Sequence, residues 1–216
     1  PRAIQKSELT TQGNRNPPRT LDGPKSHVAW AALQDVHQQE GQLLVFVGTR
    51  RSAQSEAKKL GQRMHKHLSK VNPEALTALK EISEKLARSS NSAMGDVLAE
   101  CVKGGVAFHH AGLRHSQRSL IENAFKNRTI HCLCATPTLA AGVNLPARRV
   151  LVRDLKRFED GMSRLLPVME VRQMLGRAGR PRYDPLGEAW LACKGGDPRQ
   201  VADDIAERYI HGPVED

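Results

Sequence analysis

Two arginines three residues apart, each beside a glycine, are the side chains in this sequence best suited to chemistry. They lie in Gln173-Met174-Leu175-Gly176-Arg177-Ala178-Gly179-Arg180-Pro181-Arg182. A guanidinium is planar and permanently charged, and its fork of N–H donors matches the oxygens of a phosphate. Val168, Val171, Met174 and Leu175 recur at helical spacing, which sets Gln173 and Arg177 on one helix face at i, i+4. Gly176 and Gly179 remove Cβ atoms and let backbone and ligand approach closely. The pattern predicts two cationic forks, Arg177 and Arg180, projecting from a helix end towards a phosphate, with Gln173 beside them. The plain alternative is a solvated basic helix end that complements the dipole. It gives the spaced glycines no role.

Such forks need a scaffold. Leu43 to Val47 is a continuous apolar run between Gly41 and Gly48, the pattern of a strand buried on both faces. Val106–Phe108, Ile130–Ala135, Val150–Val152 and Glu188–Cys193 read as further strands, with helical periodicity between them. Ser26 stands where it can cap the first helix. This alternation predicts an α/β fold with a parallel sheet covered by helices on both faces.

Ligands of open parallel sheets bind beyond the carboxyl ends of the strands. Three segments begin at such ends and should line one edge. Thr49-Arg50-Arg51 offers a hydroxyl and two guanidiniums at a helix start. His110 follows the second strand in Phe108-His109-His110-Ala111-Gly112-Leu113. Thr136-Pro137-Thr138 opens a short helix that Gly142 ends, with Asn144 just beyond. Thr136 is the expected N-cap and Pro137 the first helical residue, leaving free N–H groups and two hydroxyls for a phosphate. Each segment also has a bland reading: a capping threonine with solvated arginines, a structural histidine, a plain capped helix.

Length and composition bound the rest. The chain of 216 residues fits one sizeable domain, over 26–216, preceded by a polar, Pro- and Asn-rich linker or extension over 1–25. Lys+Arg 33 against Asp+Glu 23 gives a net charge of +10 and an isoelectric point near 9.8, which favours a polyanion, nucleic acid before an anionic surface. Aromatic residues are 4%, too few for a stacking platform, so contact with the phosphate backbone is expected. The four cysteines form no CxxC and read as buried free thiols in a reducing cytoplasm. The histidine spacings complete no metal set, so no metal site is expected. No apolar run approaches a membrane span.

The residues that carry this chemistry also carry a resemblance. QMLGRAGR resembles motif VI, QxxGRxGR, of superfamily-two helicases; ATPTLAAGVNLP resembles motif V; LLVFVGTRRSAQSEAKKL resembles motif IV; and FHHAGL resembles an element beside the nucleic-acid track. RDLKRF, VMEVR, GRPRYD and AERYIHGPV are similar to archaeal Hjm-type DNA helicases of the superkiller-like group, and the likeness covers roughly residues 26–216. The resemblance implies a RecA-like, P-loop NTPase-type helicase C-terminal domain. It implies arginine fingers at Arg177 and Arg180, with Gln173 on the γ-phosphate or its water. Gly142 and Asn144 would face the nucleotide, although many relatives carry Asp where this chain has Asn144. Thr49, Arg50, Arg51, His110, Thr136 and Thr138 would border the nucleic acid.

The family unwinds forked DNA at stalled replication sites in the 3′-to-5′ direction. Its implied partners are therefore single-stranded or forked DNA, replication or repair proteins, and a first RecA-like domain in cis. That first domain would hold most of the ATP and Mg²⁺, because no GxxxxGK[ST] loop and no DExH-type box occurs here. Gly23-Pro24-Lys25-Ser26 only mimics such a loop. An RNA helicase half and a non-catalytic nucleic-acid-binding or docking module are the alternatives. The expected outcome is that this chain alone turns over no ATP; turnover by a rigorously purified sample, abolished by Arg180→Ala, would reveal a site missing from this reading.

Overall fold

The computed structural model describes residues 27–89, 92–159, 161–180, 184, 186–193 and 198–213. The expected linker over 1–25, the Ser26 cap and Pro181-Arg182-Tyr183 lie outside the described residues. Five parallel strands form the sheet: β1 (Leu43–Phe46), β2 (Val106–His109), β3 (Cys132–Ala135), β4 (Arg149–Val152) and β7 (Glu188–Leu191), in spatial order β2-β3-β1-β4-β7. Every residue of β1 to β4 is buried, as the unbroken apolar runs require of strands covered on both faces.

The pairings are in step. Phe46 lies opposite Ala135, Ala135 opposite His109, and Phe46 opposite Val152. The chain therefore leaves β1, β2 and β3 at one level, and the loops that begin at Val47, His110 and Thr136 share an edge.

Helices α1 (Val28–Gln38), α2 (Arg50–Val71), α3 (Ala75–Arg88), α4 (Ala93–Lys103), α5 (His115–Lys126), α6 (Thr138–Gly142), α7 (Val168–Leu175) and α8 (Pro198–Ala206) cover the sheet and its ends. A π-helical turn, Glu207–His211, extends α8. Thr49 caps α2 by accepting from Ser52 N at 3.0 Å, and Ser92 caps α4 by accepting from Gly95 N at 3.3 Å. The Ala53, Ala57, Leu60, Met64 and Leu68 face of α2 is fully buried. Gly61 and Gly104 let α2 and the end of α4 touch backbone to backbone, since a Cβ at Gly104 would stand 2.0 Å from the Gly61 carbonyl oxygen. α2 therefore runs from the carboxyl edge of the sheet down to the amino edge, where β2 begins.

Two features depart from the sequence reading. A separate antiparallel hairpin, β5 (Lys156–Glu159) and β6 (Met162–Leu165), stands between β4 and α7, where the sequence reading named no strand. Cys193 is exposed, unlike Cys101, Cys132 and Cys134, because it lies past the end of β7.

Near the amino edge three imidazoles crowd together: His37 lies 4.8 Å from His131 and 5.6 Å from His67, centroid to centroid. Burial, then His37, Arg128 and His67, push His131 down to about 4; burial and His67 lower His37. A group held neutral in the fold takes up protons on unfolding, so this stability is complete above pH 6.5 and is lost as pH falls towards 4. For His131 the full effect is about 3 kcal/mol. Urea unfolding at pH 7.5 and pH 5 should show a lower midpoint at pH 5, and His131→Asn should flatten that difference.

Candidate nucleotide and nucleic-acid site

Motif VI begins on α7. Val168, Val171 and Met174 are buried while Gln173 faces solvent, so packing of the apolar stripe fixes where Gln173 points. The helix stops at Leu175, and Gly176, Arg177 and Ala178 continue as turns closed by bonds from Arg177 N to Met174 O and from Ala178 N to Leu175 O. Ala178 then bridges Ala147, just ahead of β4. Gly179 has φ +92, a conformation that favours glycine, and a Cβ there would meet the Gly187 backbone at 3.2 Å. The second glycine of the motif therefore serves close backbone packing ahead of β7 rather than ligand approach.

The two arginines part company here, which corrects the expectation of paired projecting forks. Arg177 is half-buried at the surface and donates to Asn144 Oδ1 at 3.2 Å and to the Ala140 carbonyl oxygen. It is thus seated against motif V with its guanidinium reachable. Arg180 turns inward and is only 7% exposed. Its Nε and Nη2 grip the Asp184 carboxylate at 2.7 and 2.8 Å, and Nη1 donates to Gln42 Oε1 at 2.6 Å. Asp184, four residues on, and Gln42, at the amino end of β1, satisfy the cation inside the protein.

Motif V lies beside Arg177. Gly142 and Asn144 are exposed, and a Cβ at Gly142 would meet nothing within 4 Å. No neighbour and no positive φ explain a glycine there, so open space adjoins the Arg177–Asn144 pair. α6 starts at Thr138 with Pro137 as N-cap and no side-chain cap, one residue later than expected. Thr136 is no N-cap: its N–H continues the sheet ladder to His109 O, and its hydroxyl, 8% exposed as a residue, lies 2.9 Å from that of Thr138. Of the two, Thr138 is the one exposed at the edge.

Thr49, Arg50 and Arg51 are exposed on the same edge. The Thr49 hydroxyl also lies 2.8 Å from the Ser52 hydroxyl. Arg153 and Asp154, beyond β4, hold this corner: Asp154 accepts from Gly48 N at 3.3 Å, and Arg153 pairs with Asp154 and with the buried Glu56 of α2. Sequence reasoning assigned Arg153 and Asp154 no role. Their signal was a charged pair directly after a buried strand.

Of the two readings of His110, phosphate contact and scaffold, its burial favours scaffold. It is 2% exposed and stacks on Phe108 at 5.4 Å. Its Nδ1 accepts from Gly112 N at 3.1 Å, and its Nε2 lies 3.1 Å from the Gln54 side-chain amide. Burial, then Arg50 and His109, hold it below its ordinary pKa. A neutral, enclosed ring shapes the loop under Arg50 and brings no charge to a ligand. Among the described residues no three His, Cys, Asp or Glu side chains converge to hold a metal ion. None of their helices is long and apolar enough to cross a membrane.

Residues 86–182 match the helicase conserved C-terminal domain family. The chain carries a helicase C-terminal domain. This helicase domain is 42% identical over 198 residues to the ATP-dependent DNA helicase Hel308 of Methanocella arvoryzae, across 91% of this chain and 26% of that protein. It is 44% identical over 173 residues to Hel308 of Pyrococcus horikoshii, across 80% of this chain and 23% of that protein. It is 44% identical over 176 residues to Hel308 of Pyrobaculum calidifontis, across 81% and 24%. The chain thus spans about a quarter of the length of these curated relatives. These relatives are named ATP-dependent DNA helicases, and the five-stranded parallel sheet with its flanking helices is the RecA-like fold of a helicase C-terminal domain.

In the helicase domain His110→Ala should remove an acceptor from Gly112 N and open a void beside Phe108. It is expected to lower stability by about 1–3 kcal/mol while leaving oligonucleotide affinity within about twofold, as thermal melts and fluorescence anisotropy would show.

Proposed function

We propose that this chain is the second RecA-like half of an ATP-dependent 3′-to-5′ DNA helicase acting on forked or stalled replication DNA. A first RecA-like domain in cis holds Mg²⁺ and most of ATP, and replication or repair proteins act alongside. The observation that carries the reading is the Arg177–Asn144 contact, which puts a reachable guanidinium of motif VI beside the open space at Gly142 of motif V. That site suits an anionic ligand brought by another lobe: the charge is positive, the donors are planar, and among the described residues nothing lies within 4 Å of a Cβ placed at Gly142.

ATP supplies a γ-phosphoryl group whose transfer spreads negative charge over its oxygens. Arg177 is the residue set to neutralise that charge, worth roughly 10³–10⁵ in rate, or about 4–7 kcal/mol of barrier. Gln173, exposed one turn earlier, orients the attacking water or touches the same phosphate. Gly142 and Asn144 line the approach. Arg180 positions motif VI through Asp184 and Gln42, and serves as a second finger only by exchanging the Asp184 carboxylate for phosphate. At the carboxyl edge Thr49, Arg50, Arg51 and Thr138, with Thr136 beneath, seat the backbone of a single strand. Motif V reaches both ligands, which is how loss of the phosphate could loosen the grip on the strand.

Two substitutions in the full-length protein test this. Arg177→Ala should cut DNA-stimulated kcat by roughly 10³-fold or more with an unchanged melting temperature and DNA affinity. Arg180→Ala should lower the melting temperature as well, because it strips a buried carboxylate of its partner. Full ATPase activity in Arg177→Ala would refute the finger assignment and favour a non-catalytic module. Competition between matched DNA and RNA strands separates a DNA from an RNA helicase.

A further inference from the structure

Leading away from the edge just described, and starting at its Arg51, α2 carries a row of positive charge. Arg51, Lys58, Lys59, Lys66 and Lys70 are all exposed and fall within an arc of about 120° at 3.6 residues per turn, opposite the buried Ala53–Leu68 face. The only acid in the helix, Glu56, points the other way and is buried against Arg153. Among the described residues none of the five basic side chains meets a carboxylate. A face selected only for solubility intersperses both signs, as α3 does with Lys80, Glu81, Glu84, Lys85 and Arg88 and its Glu84–Arg88 pair at 3.5 Å. On α2 Lys66 and Lys70 instead stand at i and i+4, a like-charged spacing that opposes the helix.

We infer that this ridge is a binding track for the phosphodiester backbone of single-stranded nucleic acid, continuous with the Thr49–Arg51 corner. The inference rests on reading that corner as a strand seat. α2 begins at the corner, and its 22 residues extend for about 33 Å. The Gly61–Gly104 contact shows that it descends towards the opposite edge of the sheet. A strand passing from the corner onto the ridge must turn sharply. Single strands do so readily, whereas duplex DNA, with a persistence length of about 150 base pairs, does not. The ridge has no aromatic or apolar partner surface among its exposed residues, so it contacts backbone charge and carries no sequence preference.

The test compares oligo(dT) of about 8 and about 30 nucleotides, within and above the 4–16 nucleotides that a single small site covers, on this chain and on its Lys58→Gln/Lys66→Gln/Lys70→Gln variant. With the long strand the parent should show a steeper fall of affinity with salt, and the variant should lose about 2 from that log–log slope, at roughly 0.7 per phosphate contact. The short strand should bind both proteins alike. The Lys→Arg triple variant should behave as the parent, which separates loss of charge from damage to the helix. An unchanged slope on the long strand, an equal loss on both lengths, or no binding of either length overturns the track. So does a matched duplex that shows the same slope change. A long strand that binds and responds to the substitutions, while the short one never binds, leaves the ridge standing and defeats the corner as a seat.

Discussion

The amide of Gln42 is the interaction on which the candidate site depends. It is 2% exposed at the amino end of the central strand, and both of its ends are used. Its Nε2 donates to the carbonyl oxygens of Phe125 and Ile130 at 2.8 and 2.6 Å, and its Oε1 accepts from Arg180. One uncharged side chain thus ties the turn between α5 and β3 to the sheet and anchors the far end of motif VI. A hydrogen bond from a buried cation is worth about 1.5–3 kcal/mol, and breaking it would leave Arg180 short of a partner in a dry setting. Motif VI is consequently fixed at both ends, by the packed stripe of α7 and by Arg180. Arg177 is left between them at the surface.

That arrangement divides two chemically identical side chains between the interior and the rim. Arg180 meets Asp184 and Gln42 inside, while Arg177 meets one amide oxygen and one carbonyl at the rim. A guanidinium held by neutral acceptors keeps its full charge available to an anion. One already gripping a carboxylate has most of its attraction spent. At the opposite edge a comparable division holds between His110, which is enclosed and neutral, and Arg50, which is exposed and charged above it.

Much of the frame was readable because its determinants are local. Leu43–Phe46 announces a two-sided buried strand by its unbroken apolar run, and Thr49 announces the start of α2 by its hydroxyl. Helical spacing likewise placed Met174 inside and Gln173 outside. What failed to show was set by residues distant in sequence. Nothing in Gly-Arg-Ala-Gly-Arg says that the second arginine will find Gln42, and nothing in Phe-His-His says that the ring of His110 will lie flat on Phe108. The β5–β6 hairpin escaped for a different reason: β6 is exposed throughout, so no burial alternation marks it, and the Asp-Gly dipeptide at 160–161 of the sequence was the available cue. Thr136 missed its capping role because its hydroxyl faces a neighbouring side chain instead of the backbone.

The strand order has a bearing on how the chain comes to be folded on the ribosome. β1 is synthesised first yet sits in the middle of the sheet, so Leu43 must wait for Cys132 and then for Arg149 before either flank is covered. Until then its apolar residues, Leu43 to Val47, lack the strands that flank them in the finished sheet. Long-range parallel pairing of this kind is slow and exposes nascent chains to aggregation. The long, highly charged α2, made immediately after β1, is the element at hand to keep that half-built sheet in solution.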